Sequence, residues 1–146
     1  MFLGEIEHSL DDKNRVVLPA PLRRGIAEES LLDRFYVVPS DEDECLELHP
    51  RQSWESYVAT LRTRHSFGDR TWRDFLRDLY SAASEVQLDK QYRFTIAEAT
   101  RKAAGVERDV YFVGLGEFVE IWDKEKWEAR RQKRAGKRQT PATPPE

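Results

Sequence analysis

The sequence predicts an α+β chain in which two pseudo-symmetric, β-rich halves are joined by a helical connector. Three observations carry that prediction: an internal repeat, β-branched and alternating runs inside each copy, and two stretches of helical periodicity between the copies. LDDKNRVVLPAPLRR from Leu10 lies over LDKQYRFTIAEATRK from Leu88, pairing Asp11 with Asp89, Arg15 with Arg93 and Arg23 with Arg101 at an offset of 78. FYVV from Phe35 lies over VYFV from Val110 at an offset of 75, and LELHPRQSW from Leu46 over VEIWDKEKW from Val119 at 73. The order of the matches is kept. The falling offset shortens loops of the second copy, a change that exposed loops tolerate.

Each copy reads as strand, tight turn, strand, short helix, strand, turn, strand, helix. In the first copy, residues 2–8 form a short strand and 9–14 a turn, and β-branched Val16 and Val17 run to Pro19, where proline closes a strand or opens a helix. A short helix is expected over 21–29, and strands over 35–39 and 45–49 form a hairpin across the acidic loop SDEDE. In the second copy the strands fall at 85–89, 93–97, 110–114 and 118–122, with a turn around Gly116. Between the copies, a helix over 51–64 presents Trp54, Tyr57, Val58 and Leu61 on one face. A second helix, N-capped by Asp69, presents Trp72, Phe75, Leu76 and Leu79 at the same spacing. These aromatics read as core. The expected organisation is a first half at 1–50, a connector at 51–83, a second half at 84–127 and a basic tail at 128–146, disordered from Ala135 where Pro and Thr replace any periodicity.

The 146 residues are 39% hydrophobic, 11% aromatic and 35% charged, with a net charge of −3, the size of one ordinary domain or of two small halves sharing a core. Apolar runs such as 16–22 and 110–115 fall far short of the ~20 residues of a membrane span, and MFLGEIEHS lacks the basic-then-apolar order of a secretory signal. A cytoplasmic protein is expected. Cys45 stands alone, without a disulfide partner or the spacing of a zinc site. Residues 128–146 hold six basic residues, leaving 18 basic against 25 acidic, or −7, for residues 1–127. An acidic body repels phosphate at long range, so nucleic-acid binding has to come from a local cluster or from the tail.

The repeated loops supply that cluster. An Asp opening a turn accepts backbone N–H bonds from two or more residues ahead, and Asn, after Gly, best tolerates a left-handed backbone. LDDKNR would thus place Lys13 at the tip and launch Arg15 from the first strand residue, with Asp11 fixing the loop through Asn14. Arg reads guanine O6 and N7 through two parallel bonds, whereas Lys supplies phosphate affinity. The second loop offers Asp89, Lys90 and Arg93. Read from the residues alone, the loops are either a paired DNA-reading head or plain surface salt bridges worth no more than ~1 kcal/mol each.

The amino-terminal MF-x-G-E, the twin L-D-x-x-x-R motifs, the strands C-L-E-L-H-P and V-E-I-W-D, and the Trp that follows each resemble the MraZ family over residues 1–127. These are bacterial DNA-binding regulators. The resemblance implies two AbrB-like (SpoVT-AbrB) swapped-hairpin β-barrel halves. It also implies a nucleoid-associated regulator, such as a repressor, at the promoter of the division and cell-wall gene cluster, its own gene included, acting as a ring-shaped homo-oligomer on repeated short boxes of double-stranded DNA. The family's D-x-x-x-R positions carry over to Asp11 and Arg15 and to Asp89 and Arg93; together with the reading of the loop residues, the expected DNA-binding residues are Lys13, Asn14, Arg15, Lys90 and Arg93, with Asp11 and Asp89 fixing the loops. The sequence departs from the family where Gly usually precedes the Arg: Asn14 stands there in one copy and Tyr92 in the other. Tyr is unfavourable at positive φ, so either the second turn differs or Tyr92 has another task, such as stacking.

Nothing points to an enzyme, a cofactor, a metal or a small-molecule ligand. His8, His49 and His65 are scattered, the four consecutive acids at 41–44 lack the spacing of a calcium loop, and no phosphate-binding glycine motif occurs. The alternative to a DNA-binding regulator is a ring-forming scaffold whose loops are structural. Lone positions in the connector helices, such as Trp54, Trp72 and Phe75, are candidate seam residues, with burial in the protomer as the simpler reading.

Overall fold

The computed structural model describes residues 1–24, 34–65 and 68–138. Eight strands and five helices occur among them, in the order β1 (Glu5–Ser9), β2 (Arg15–Val17), α1 (Ala20–Arg23), β3 (Arg34–Pro39), β4 (Leu46–Pro50), α2 (Arg51–His65), α3 (Asp69–Ala82), β5 (Ser84–Gln87), β6 (Arg93–Thr95), α4 (Glu98–Ala103), β7 (Asp109–Gly114), β8 (Val119–Asp123) and α5 (Lys124–Arg138). The architecture is α+β, as expected.

Six strands form one antiparallel sheet in the order β1-β7-β8-β4-β3-β5, and β2 and β6 form a separate two-stranded ribbon. The two copies are interlaced. β1 of the first copy pairs with β7 of the second, and β5 of the second pairs with β3 of the first. The sheet order reads the same from either edge once each strand is exchanged for its repeat mate. At the centre, Glu47 of β4 faces its mate Glu120 of β8, and in the ribbon Val16 faces its mate Phe94. The pseudo-two-fold therefore passes between β4 and β8 and through the ribbon.

Side-chain alternation divides the molecule into layers. Phe35, Val37, Leu46, Leu48, Val110, Phe112 and Ile121 point to one face of the sheet and join Val16, Phe94, Leu18, Leu22 and Ile96 of the ribbon and short helices in one core shared by both copies. Truncating a large member such as Phe112, with no exposed surface, costs about 3–5 kcal/mol. The opposite face is covered by helices. Val38, Trp54, Val58, Leu61 and Leu79 bury there, with Trp72, Phe75 and Leu76 packed against them, so the aromatic stripes of α2 and α3 face each other and the sheet. On the second copy Val113 and Trp122 pack with Cys45 and against Trp127 of α5.

The elements depart from the sequence reading in four places. Asp69 is the first residue of α3 and Gly68 its N-cap, so the carboxylate favours the helix from its first turn instead of capping it. β1 begins at Glu5, and Phe2 makes only an isolated bridge to Gly116, which turns the chain between β7 and β8 at φ +87°. The short helix predicted over 21–29 is observed as α1, and its stretch from residue 25 lies outside the described residues. The tail predicted to be disordered is helical through residue 138. Glu5 accepts from Trp127 Nε1 and Arg131 Nη1, both at 2.6 Å, and Glu7 accepts from Lys124 Nζ at 2.7 Å, so acids of β1 hold the helix on the sheet. Residues 139–146 lie outside the described residues.

Candidate nucleic-acid interface

Both L-D-x-x-x-R loops close in the same way. Asp11 Oδ1 accepts the backbone N–H of Lys13 and of Arg15, each at 2.9 Å, and Oδ2 accepts Arg15 Nε–H at 2.8 Å. Asp89 Oδ1 accepts the N–H of Gln91 at 2.8 Å and of Arg93 at 2.9 Å, and Oδ2 accepts Arg93 Nε–H at 2.8 Å. The backbone seals each loop in parallel: Asp11 N–H donates to Arg15 O and Asp89 N–H to Arg93 O, both at 2.9 Å. The Arg15 backbone N–H, followed by bonds from Lys13 and the guanidinium, holds the Asp11 carboxyl below the ordinary aspartate range. The Arg93 backbone N–H heads the same effect at Asp89. Each aspartate therefore stays ionised to a lower pH than an ordinary aspartate.

The residue before each Arg is left-handed, with φ +58° at Asn14 and +61° at Tyr92. That turn aims its carbonyl across to the other copy: Asn14 O accepts Ile96 N–H at 2.9 Å, and Tyr92 O accepts Leu18 N–H at 2.8 Å. Of the two readings of Tyr92, the second holds. The turn is unchanged, and the Tyr92 ring lies under the Arg23 guanidinium, whose central carbon is 3.7 Å from the ring centroid. Arg101, the repeat mate of Arg23, donates instead to Val106 O at 2.9 Å and Glu107 O at 3.3 Å. Its counterpart loop carries Asn14, which offers no ring. Sequence reasoning aligned Arg23 with Arg101 but gave neither a role, because only the interlaced topology brings Arg23 to the opposite loop.

The ribbon brings the two arginines together. Arg15 is opposite Thr95 and Arg93 opposite Val17, so the arginines are diagonal neighbours about 7–8 Å apart along one ribbon. Val16 and Phe94 point into the core, leaving Arg15, Val17, Arg93 and Thr95 on the outward face. The side chains of Arg15 and Arg93 are 32% and 30% exposed. Each guanidinium gives Nε–H to its Asp, and its Nη atoms have no partner among the described residues. Lys13 and Lys90 are exposed beside them, at different tip positions, since Asp12 occupies the place of Lys90 and Gln91 that of Lys13. Asp12 lies 3.7 Å from Arg108.

The family described as "MraZ protein, putative antitoxin-like" matches the chain twice, over residues 1–78 and 79–143, one match to each repeat copy. The chain belongs to the MraZ family. Among curated MraZ relatives, the "Transcriptional regulator MraZ" of Acetivibrio thermocellus is 40% identical over 129 residues, covering 88% of this chain and 85% of that protein. The proteins of the same name from Clostridium beijerinckii and Syntrophomonas wolfei are each 39% identical over 127 residues, covering 87% of this chain and 84% of theirs.

Away from the loops, Cys45 is buried, and burial first, then neighbouring Glu120 and Glu47, pushes its thiol far up, which makes it an inert packing residue. Among the described residues, no group of three or more His, Cys, Asp or Glu side chains is placed to hold a metal ion, and no helix is long and apolar enough to cross a membrane.

Proposed function

We propose that this MraZ-family chain is a sequence-specific DNA-binding transcriptional regulator that uses the outward face of the β2-β6 ribbon as its reading head. The observation that carries the reading is the pair of Asp-braced arginines on one ribbon face, each with an Nη edge that has no partner among the described residues. A two-stranded ribbon fits the ~12 Å major groove, and a braced guanidinium presents two parallel donors to guanine O6 and N7 without first losing rotamer freedom. Their separation corresponds to about two base-pair steps of ~3.4 Å. Lys13 and Lys90 supply phosphate contacts, and Asn14 with Asp11 and Asp89 holds the loops. The name carried by the relatives agrees with this role.

One ribbon offers few contacts, so tight binding calls for several heads in one particle. We read the chain as a protomer of a homo-oligomeric ring on repeated boxes upstream of the division and cell-wall cluster and its own gene, where linkage raises avidity by ~10² to 10⁴. The interlaced strands support swapped-hairpin, AbrB-like halves. A gel-shift titration on the DNA upstream of its own gene, with scrambled competitor, tests the proposal. Specific retardation that steepens from one box to three is the expected result. Equal affinity for scrambled duplex would leave the scaffold reading in its place.

A further inference from the structure

Besides its two arginines, the outward face of the β2-β6 ribbon carries Val17 and Thr95. The four side chains form a square. Thr95 stands opposite Arg15 and Val17 opposite Arg93, about 5 Å across, and two residues along either strand span ~6.6 Å. The arginines are repeat mates on one diagonal, and Val17 and Thr95, 78 residues apart like them, are repeat mates on the other.

Neither of these two side chains is engaged inside the protein. Val17 is half-buried but belongs to none of the hydrophobic clusters, which take its neighbours Val16 and Leu18 and the neighbours of Thr95, Phe94 and Ile96. Thr95 is exposed, and its hydroxyl has no hydrogen-bond partner among the described residues. The pseudo-two-fold is thus kept by the arginines and broken beside them.

That break has a meaning in the major groove, where thymine alone presents a methyl group. Valine has no side-chain donor or acceptor. Pressed on the amino group of adenine or cytosine it leaves that group unpaired, whereas pressed on the thymine methyl it removes apolar surface from water. Threonine meets either kind of edge, with its methyl or with its hydroxyl. A cross-strand neighbour about 5 Å from its arginine is little more than one base-pair step of ~3.4 Å away, so Val17 meets the base next to the guanine taken by Arg93.

We propose that Val17 is a specificity-determining residue of the ribbon, selecting through its C5-methyl group a thymine next to the guanine read by Arg93, while Thr95 leaves the base next to the Arg15 guanine less restricted. This rests on the ribbon being the DNA-reading head.

Selection by the full chain from a duplex library randomised over roughly ten base pairs, about one helical turn, finds the bound sequence. Competition titration then compares that duplex with one carrying deoxyuridine for the thymine, which removes the methyl group alone. Selected duplexes should hold two guanines with thymine beside one of them, and the uracil duplex should bind about fourfold more weakly, the effect of one buried methyl group. Val17→Ser should abolish that difference while binding the uracil duplex as tightly as the unaltered chain does, which shows the ribbon intact. Thr95→Val should install a thymine preference beside the other guanine. Selected guanines without thymine–uracil discrimination, or discrimination unchanged in Val17→Ser, overturn the role of Val17 and leave the reading head standing. Enrichment of no sequence overturns both.

Discussion

The two Asp-x-x-x-Arg loops have one backbone and two different sets of side chains. Their left-handed φ angles agree within a few degrees, and their carboxylate bonds match almost atom for atom. Yet the residues between Asp and Arg are Asp12, Lys13 and Asn14 in one loop and Lys90, Gln91 and Tyr92 in the other. The loop geometry thus depends on the terminal Asp and Arg and on a carbonyl that accepts a backbone N–H across the pseudo-two-fold, and not on which residue bears the positive φ. An unsuitable residue at that position is held by a partner from the other copy, as Arg23 holds Tyr92.

The strongest test of this equivalence removes the arginines one at a time. Arg15→Ala and Arg93→Ala should each cost about 1–3 kcal/mol of specific DNA binding per base pair contacted. Because the loops share one geometry, the two losses should agree within about 0.5 kcal/mol when measured by competition titration on one box. A loss confined to Arg15→Ala would show that the tips, and not the frame, determine reading.

The braces come next in size. Asp11→Asn and Asp89→Asn keep the shape but remove the charge that orients each guanidinium, so each should weaken specific binding by less than loss of its Arg. The pH dependence has a definite sign. Both aspartates have folded pKa values below the ordinary ~3.9, so their stabilisation is full above that value and is lost as pH falls through the lower, folded value. Carboxyl titration followed by NMR should give two similar curves, both displaced to acid. An ordinary curve at Asp89 alone would break the equivalence.

Tyr92 should have a modest net effect. Tyr92→Gly relieves a left-handed residue, worth roughly 1 kcal/mol, but forfeits the Arg23 contact, worth about 0.5–1 kcal/mol, and the packing of the ring against the shared core. Urea unfolding should therefore show a net destabilisation of about 1 kcal/mol. Tyr92→Val keeps the strain and loses the contact, and should be clearly destabilising.

Much of this was legible beforehand, for reasons the residues make plain. The repeat, the loops' Asp and Arg, and the aromatic stripes of α2 and α3 are local signals, set by turn chemistry and by 3.6-residue spacing. What stayed hidden depends on contacts distant in sequence: the exchange of β1 and β5 between copies, the Arg23–Tyr92 pair, and the union of both arginines on one ribbon. The helicity of 128–138 was hidden for the same reason. Its basic run looks like a solvated tail until Glu5, Glu7, Asp43 and Glu44 are brought beneath it.

That helix gives the smallest expected effect. Six basic residues beside an acidic body invite the view that α5 adds non-specific DNA affinity. Its position argues otherwise. Lys124, Lys126 and Arg131 are ion-paired within 2.7 Å and Arg130 lies 3.7 Å from Asp43. The helix packs on Val113 and Trp122, on the sheet face opposite the core that carries the ribbon. Two packed layers of roughly 10 Å each separate α5 from the reading face, more than two Debye lengths of ~8 Å. Lys133→Ala with Arg134→Ala, which removes exposed cations of that helix, should shift affinity for one box by less than about 0.5 kcal/mol and leave the salt slope unchanged. A slope that falls by nearly 2 would mean that the duplex reaches both cations, and that DNA contacts both faces of the sheet.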